Sequence, residues 1–349
     1  MPGTTIYGAA CAILRARHGA GAGPVTLLNC DNLRHNGERF RRALLGFIAH
    51  CDAPGLGEGV NANTSCPSSM VDRITPRPAP DLFARVRAAI GRDDGAAVTA
   101  ETFMQWVIED RFVAGRPDRG RVGVELVDSI LPDEEAKVRI LNASHSCIAW
   151  AGTLIGLPYV HKAIGVPAIR QMAFNYVTDD VIACLDSPDR PGPLDLPAYR
   201  DEVLHRFGNA ALRDTNERVA MNGFSKMQGF IAPTLRDRLE IGASIASVAV
   251  LPALFLAFLQ RWHRGALPYV YQDPSMDETV VHAMCAAADP VAASCANSAL
   301  WGDIAGHDQP TASVRLAFAQ VQQFSSDTGS TPIWMAWPSR TSCGVVAVR

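Results

Sequence analysis

The chain has 349 residues, 48% of them apolar and 19% charged, with a net charge of -3. That composition builds a sizeable core and excludes a disordered chain; with no basic block it also excludes a nucleic-acid face, so a small molecule is the expected partner. At roughly 150 residues per domain, the length predicts two domains.

The N-terminus, MPGTTIYGAAC, has no basic region leading into a long apolar run, so no signal peptide is evident. Residues 6–18 predict a helix, followed by Gly19, Gly21 and Gly23 and then the apolar run 25–28, which predicts a buried strand. The glycines are not a dinucleotide fingerprint, because they follow a helix and open a strand, the reverse of what places a pyrophosphate at a helix N-terminus. Helix, loop and strand in this order are the grammar of a parallel α/β sheet. Asn32, just beyond the carboxyl end of the strand, stands where such folds bind ligands.

A second helix is predicted over 38–49, with Phe40, Leu44, Phe47 and Ile48 at helical spacing. Residues 52–66 are rich in Gly, Asn and Pro and predict a loop. Residues 70–75 predict a short strand stopped by Pro76. Asp72 inside it orients a ligand or pairs with Arg73 or Arg77.

Beyond about residue 131 the pattern becomes helical, with helices predicted over 133–156, 166–185, 197–207, 210–222, 230–262, 276–288 and 311–324. The expected fold is an α/β, partial Rossmann-like domain over 1–130, then a mostly α-helical domain over 131–324, with 325–349 a tail without clear period. The stretch 241–259 is long enough to cross a bilayer. A core helix buried all round has the same composition and no second span accompanies it, so a membrane partner is not expected. The nine cysteines show no CxxC or zinc spacing and predict reduced thiols in the cytosol.

The run KVRILNASH places Lys137, Asn142 and His145 on one predicted helix. At α-helical spacing Asn142 lies about 140° and His145 about 80° round from Lys137. A base, a neutral amide and an imidazole facing one space suit acid-base chemistry on a hydroxyl or carbonyl. A surface lysine, a satisfied asparagine and a core-edge histidine give the same pattern.

Five segments in order, NCDNLRHNGERFRRALLGF (29–47), MVDRITP (70–76), QWVIEDRFVAGRP (105–117), KVRILNASHS (137–146) and RFGNAALRDTNERVAMNGFSKMQGFIAPTLRD (206–237), resemble the polyol-specific long-chain dehydrogenases. That family includes mannitol 2-dehydrogenase, D-arabinitol 4-dehydrogenase and the hexuronate reductases. The resemblance implies zinc-independent, NAD-dependent oxidation of a secondary alcohol of a linear polyol, D-arabinitol to D-xylulose being the leading expectation and mannitol or a hexuronate the alternatives. It implies Lys137 as catalytic base, Asn32 and Asn142 flanking the reacting oxygen, and His145 orienting the substrate. Asp72, Arg218 and Lys226 would line the same pocket, with Asn32 and Asp72 also facing the cofactor.

Desolvation and the cations Arg218 and Lys226 are expected to lower the Lys137 amine from its ordinary value of about 10.4. A monomer or weak oligomer is expected. Two departures stand out. Ser68 stands where the family often carries Asn, and the family's glycine-rich nucleotide-binding unit, roughly a domain in length, would lie ahead of Met1. An inactive fragment unable to hold NAD is therefore the expectation of a different class.

Overall fold

The structure, a computed structural model, describes residues 5–51, 55–186 and 192–326. Clustering separates two compact units, Met1–Thr75 with Ala100–Glu134, and Pro76–Thr99 with Glu135–Arg349.

In the first unit, α1 (Ile6–Gly19) starts at Thr5, whose hydroxyl accepts the Gly8 N–H at 3.1 Å. It stops at Gly21, which adopts φ +61°. There the Gly21 N–H donates to the His18 carbonyl at 3.1 Å and the Ala22 N–H to the Arg17 carbonyl at 3.0 Å. This pair of reversed bonds closes a helix around a left-handed glycine, so the glycine run is a helix stop.

Strand β1 (Val25–Thr26) is shorter than the predicted 25–28 and pairs in parallel with β2 (Thr64–Ser65). Between them run α2 (Asn36–His50) and α3 (Leu56–Asn63). The predicted loop over 52–66 is thus corrected: residues 56–65 hold a helix and a strand. Leu56 and Val60, one turn apart, anchor α3 to Leu44 and Ile48 of α2, and this burial overrides the glycine- and asparagine-rich composition.

A second sheet has the order β3 (Ser69–Asp72), β4 (Gln105–Glu109), β5 (Val124–Val127), antiparallel then parallel. The strand predicted over 70–75 ends at Asp72. Met70, Val107 and Ile130 form its core cluster.

The second unit is helical. After α4 (Leu82–Ile90), one continuous helix consists of α5 (Leu131–Ala136), whose residues as far as Glu134 count with the first unit, a π-helical turn π1 (Lys137–Asn142) and α6 (Ala143–Leu154). Next come α7 (Val160–Ile164), α8 (Pro167–Asn175), π2 (Tyr176–Val181), α9 (Ile182–Leu185) and α10 (Leu196–Arg206). The predicted helix 210–222 is broken: Ala210–Leu212 is a 3-10 turn, Arg213 takes φ +50°, and Thr215 caps a new helix, α11 (Asn216–Ala220).

The predicted helix 230–262 is also broken. After α12 (Gly223–Lys226) and π3 (Met227–Ile231), α13 (Ala232–Glu240) closes on Gly242 at φ +63°, and α14 (Val250–His263) starts afresh. Helices α15 (Glu278–Ala286), α16 (Pro290–Cys295), α17 (Ser298–Trp301) and α18 (Asp308–Ser326) complete the unit. In α14, every residue from Val250 to Leu259 is buried. Among the described residues no helix is long and apolar enough to cross a membrane, and the predicted tail lies outside them from residue 327 on.

Candidate active site

The π1 turn changes the geometry that an α-helix would give. Its i→i+5 ladder places the residue five positions on nearly above the first. Asn142 therefore comes round closer to the side of Lys137 than the separation of about 140° that α-helical spacing implies. Lys137 is buried and Asn142 half-buried.

The turn is held from outside its own ladder. The Tyr176 hydroxyl donates to the Arg139 carbonyl at 2.9 Å, and Arg139 reaches Glu135 at 2.7 Å and also Asp237. The Ser146 hydroxyl donates to the Asn142 carbonyl at 3.0 Å.

One turn on, the His145 ring lies against Phe207, with centroids 4.6 Å apart. Its Nε2 is 3.3 Å from Asp214 Oδ2. Arg218 grips the same carboxylate with both arms, Nε to Oδ1 at 2.7 Å and Nη2 to Oδ2 at 2.5 Å. The local sequence DTNER builds this: Thr215 caps α11 by accepting the Arg218 N–H at 3.2 Å, putting Asp214 and Arg218 four residues apart on adjoining turns. The Asp214 carbonyl also accepts the Val160 N–H at 2.9 Å, fixing the segment to α7.

These contacts set the charges. Burial pushes the His145 imidazole down; Asp214 opposes this and the Arg218 and Lys226 charges add to it, leaving a neutral ring. Burial alone would raise Asp214, but its bonds to His145 and Arg218 hold it well below the usual carboxylate range. Lys226 donates to the Val219 carbonyl, and burial followed by repulsion from Arg218 brings its amine down to about 8. A cavity of ≈ 1030 Å³ runs beside this chain of residues, lined by Asp214, Thr215, Arg218 and Met221 among others.

The second unit carries Lys137, Asn142, His145, Arg218 and Lys226, and links His145 to Arg218 through Asp214 with the Lys226 charge close by. Asp214, which joins these two, is not among the residues singled out from the sequence. Its signal was local: an aspartate four residues before Arg218 and just ahead of a capping threonine.

Asn32 and Asp72 belong to the first unit. Asn32 is exposed in the loop after β1, and Asp72 is buried at the end of β3. Another residue outside the sequence reading, buried Asn36, ties that loop to that strand. Its Nδ2 donates to the Ser69 and Asp31 carbonyls at 2.9 and 3.2 Å, and its Oδ1 accepts the Ser69 N–H at 3.0 Å. Gly37 completes the contact, since a Cβ there would sit 2.4 Å from the Cys66 carbonyl oxygen.

The pattern described as the mannitol dehydrogenase C-terminal domain matches residues 129–322, and that of the mannitol dehydrogenase Rossmann domain matches 3–119. The chain belongs to the mannitol dehydrogenase family. It is 54% identical to D-arabinitol 4-dehydrogenase of Ralstonia nicotianae over 91% of its own length and 68% of that protein's. For D-arabinitol 4-dehydrogenase of Klebsiella pneumoniae the identity is 51%, over 91% and 69%. Among solved structures, the ternary complex of Pseudomonas fluorescens mannitol 2-dehydrogenase with NAD and D-mannitol matches at TM-score 0.77 and 31% identity, over 93% of this chain and 65% of that one. The chain thus spans about two thirds of the length of these relatives.

The family's cofactor imposes a test on the residues present. The turn leading from β1 into α2 runs from a strand into a helix N-terminus, the direction a pyrophosphate site needs. Its helix end is already taken: the His35 N–H donates to the Glu134 carboxylate at 3.1 and 3.3 Å. A carboxylate there fills the anion position and repels phosphate. That turn therefore does not fit the pyrophosphate of NAD, and the chemistry below concerns the alcohol alone.

Proposed function

We propose that the chain oxidises a secondary alcohol of a linear polyol to the ketose, D-arabinitol to D-xylulose first, with NAD as the family's acceptor. The observation that supports this reading is the π1 turn over Lys137–Asn142, one turn before the His145–Asp214–Arg218 chain. Lys137, as the base, takes the hydroxyl proton on Nζ. The Asn142 side chain donates to the oxygen as its negative charge grows, supplying what a metal ion supplies elsewhere. His145, neutral and held by Asp214, orients the reacting end, while Arg218 and Lys226 hydrogen-bond the other hydroxyls. The two arabinitol dehydrogenase relatives support the choice of substrate. Mannitol and hexuronates are the alternatives within the family.

A second reading, polyol binding without turnover, is favoured by the Glu134 carboxylate at the α2 end. NADH formation is to be followed with D-arabinitol, D-mannitol and D-sorbitol, and polyol binding by calorimetry. The first reading expects the highest kcat/KM for D-arabinitol and a loss of about 10²–10⁴-fold in Lys137→Ala. Binding with no NADH formed supports the second. Loss of turnover in Lys226→Met with Lys137→Ala unaffected would move the base to Lys226, whose amine near 8 makes it the rival.

A further inference from the structure

We propose that His263 and His282 form a binding site for one divalent transition-metal ion of the Ni²⁺, Cu²⁺ and Zn²⁺ class, built from residues the alcohol chemistry does not use. The two Nδ1 atoms face each other at 2.7 Å, with the rings inclined at 56° and their centroids 4.9 Å apart. Two neutral imidazoles so placed share a single hydrogen bond, one Nδ1–H donating to the other Nδ1. A metal ion uses both lone pairs at once. Two bonds of about 2.05 Å meeting at a right angle hold their donors about 2.9 Å apart, a few tenths of an ångström from the distance present.

Both rings are fixed by the fold before any ion arrives. His263 is the last residue of α14, and the turn after it is closed around Gly265 at φ +64°. There the Gly265 N–H donates to the Trp262 carbonyl and the Ala266 N–H to the Arg261 carbonyl, each at 2.9 Å. His282 stands on α15, whose first turn is capped by Asp277 accepting the Val280 N–H at 3.2 Å. Its ring stacks on Trp262 with centroids 4.5 Å apart and planes at 23°. An ion here would staple the end of α14 to α15.

The surroundings limit the class of ion. Imidazole nitrogen suits Ni²⁺, Cu²⁺ and Zn²⁺ and not Mg²⁺ or Ca²⁺. Arg261 turns its Nη1 toward the Thr153 carbonyl at 3.5 Å, and Glu278, four residues before His282, lies on the same side of α15. Among the described residues no three His, Cys, Asp or Glu side chains converge. The protein therefore supplies two ligands and water the rest, giving an exchangeable site of weak affinity.

The test is a calorimetric titration of Ni²⁺ into the tag-free 349-residue chain at pH 7.5, alongside His263→Gln and His282→Gln. One equivalent, weakened at least tenfold by either substitution, is expected. Both side chains are accessible, so the variants keep the fold, checked by unchanged melting in the absence of metal. Absence of a one-equivalent isotherm in the native chain, or an unchanged isotherm in either variant, overturns the proposal. Co²⁺ separates it from capture by exposed Cys30. A spectrum without a thiolate charge-transfer band is expected, and a band that disappears in Cys30→Ser overturns it.

Discussion

Helix α6 is buried at every residue from Ala143 to Leu154, and α14 from Val250 to Leu259. Helix α1 of the first unit buries only Gly8, Cys11 and Leu14 and leaves Ile6 and Ile13 66% and 62% exposed. A helix enclosed on all sides has small residues wherever a neighbour crosses closely, and its side chains have one arrangement available. A helix with one buried stripe has slack. The candidate base stands at the head of the first kind of helix, while Asn32 stands in an exposed loop of the first unit, tied down through Asn36, Ser69 and Glu134.

The contrast breaks most visibly at Trp150, fully buried and stacked on Phe255 with centroids 4.6 Å apart. Trp150→Ala should cost about 3–5 kcal/mol and Leu44→Ala in the first unit about 2–3, because the small cluster around α1 and α2 can collapse onto the gap. Urea unfolding of both variants checks this, and an equal or reversed order would remove the distinction in packing. Hydrogen exchange should agree, with slower amide exchange in α6 and α14 than in α1.

A smaller effect sharpens the contrast through glycine. A Cβ on Gly152 of α6 would meet Asn216 Nδ2 at 2.4 Å and Ala163 Cβ at 2.7 Å. Gly152→Ala should therefore destabilise by about 1–3 kcal/mol, seen as a lower melting temperature.

Smaller still is a pH effect confined to the first unit. Burial, then the nearby Glu125 charge, raise the Asp133 carboxyl to about 6. The folded chain then holds this proton more tightly than the unfolded one, so the contribution is full below about pH 4 and is lost as pH rises through about 6. Asp133→Asn should add on the order of 1 kcal/mol at pH 7.5, less than the full shift implies because the group is partly solvated, and nothing below about pH 4. Unfolding at the two pH values tests both the gain and its disappearance.

The smallest effect is the converse of Gly152. Gly46 of α2 is exposed and has nothing within 4 Å of an added Cβ. Gly46→Ala should stabilise by about 0.5–1 kcal/mol through helix propensity alone, and a loss there would mean that α2 is packed as tightly as α6.

Much of the architecture was legible in the chain because the signals were local. Residues 6–18 and 38–49 repeat their apolar positions at helical spacing, and α1 and α2 form there. Where expectation failed, a local helix stop or a partner distant in sequence had decided. Gly242 with its two reversed bonds splits the apolar run that predicted one helix over 230–262. Leu56 and Val60 find partners on α2 that no reading of residues 52–66 alone could supply.

For the candidate site, residue types and spacing alone determined that Lys137, Asn142 and His145 share one segment, and the ordered matching segments determined the family. Tertiary structure decided the rest. Arg139, held by Tyr176, Glu135 and Asp237, steadies a π turn over Lys137–Asn142 that changes the α-helical register read from the sequence. Asp214 came to His145 because a capped turn and α7 fix it there. Helical register and the charge state of a buried imidazole depend on neighbours distant in sequence, and those neighbours are defined only once the chain has folded.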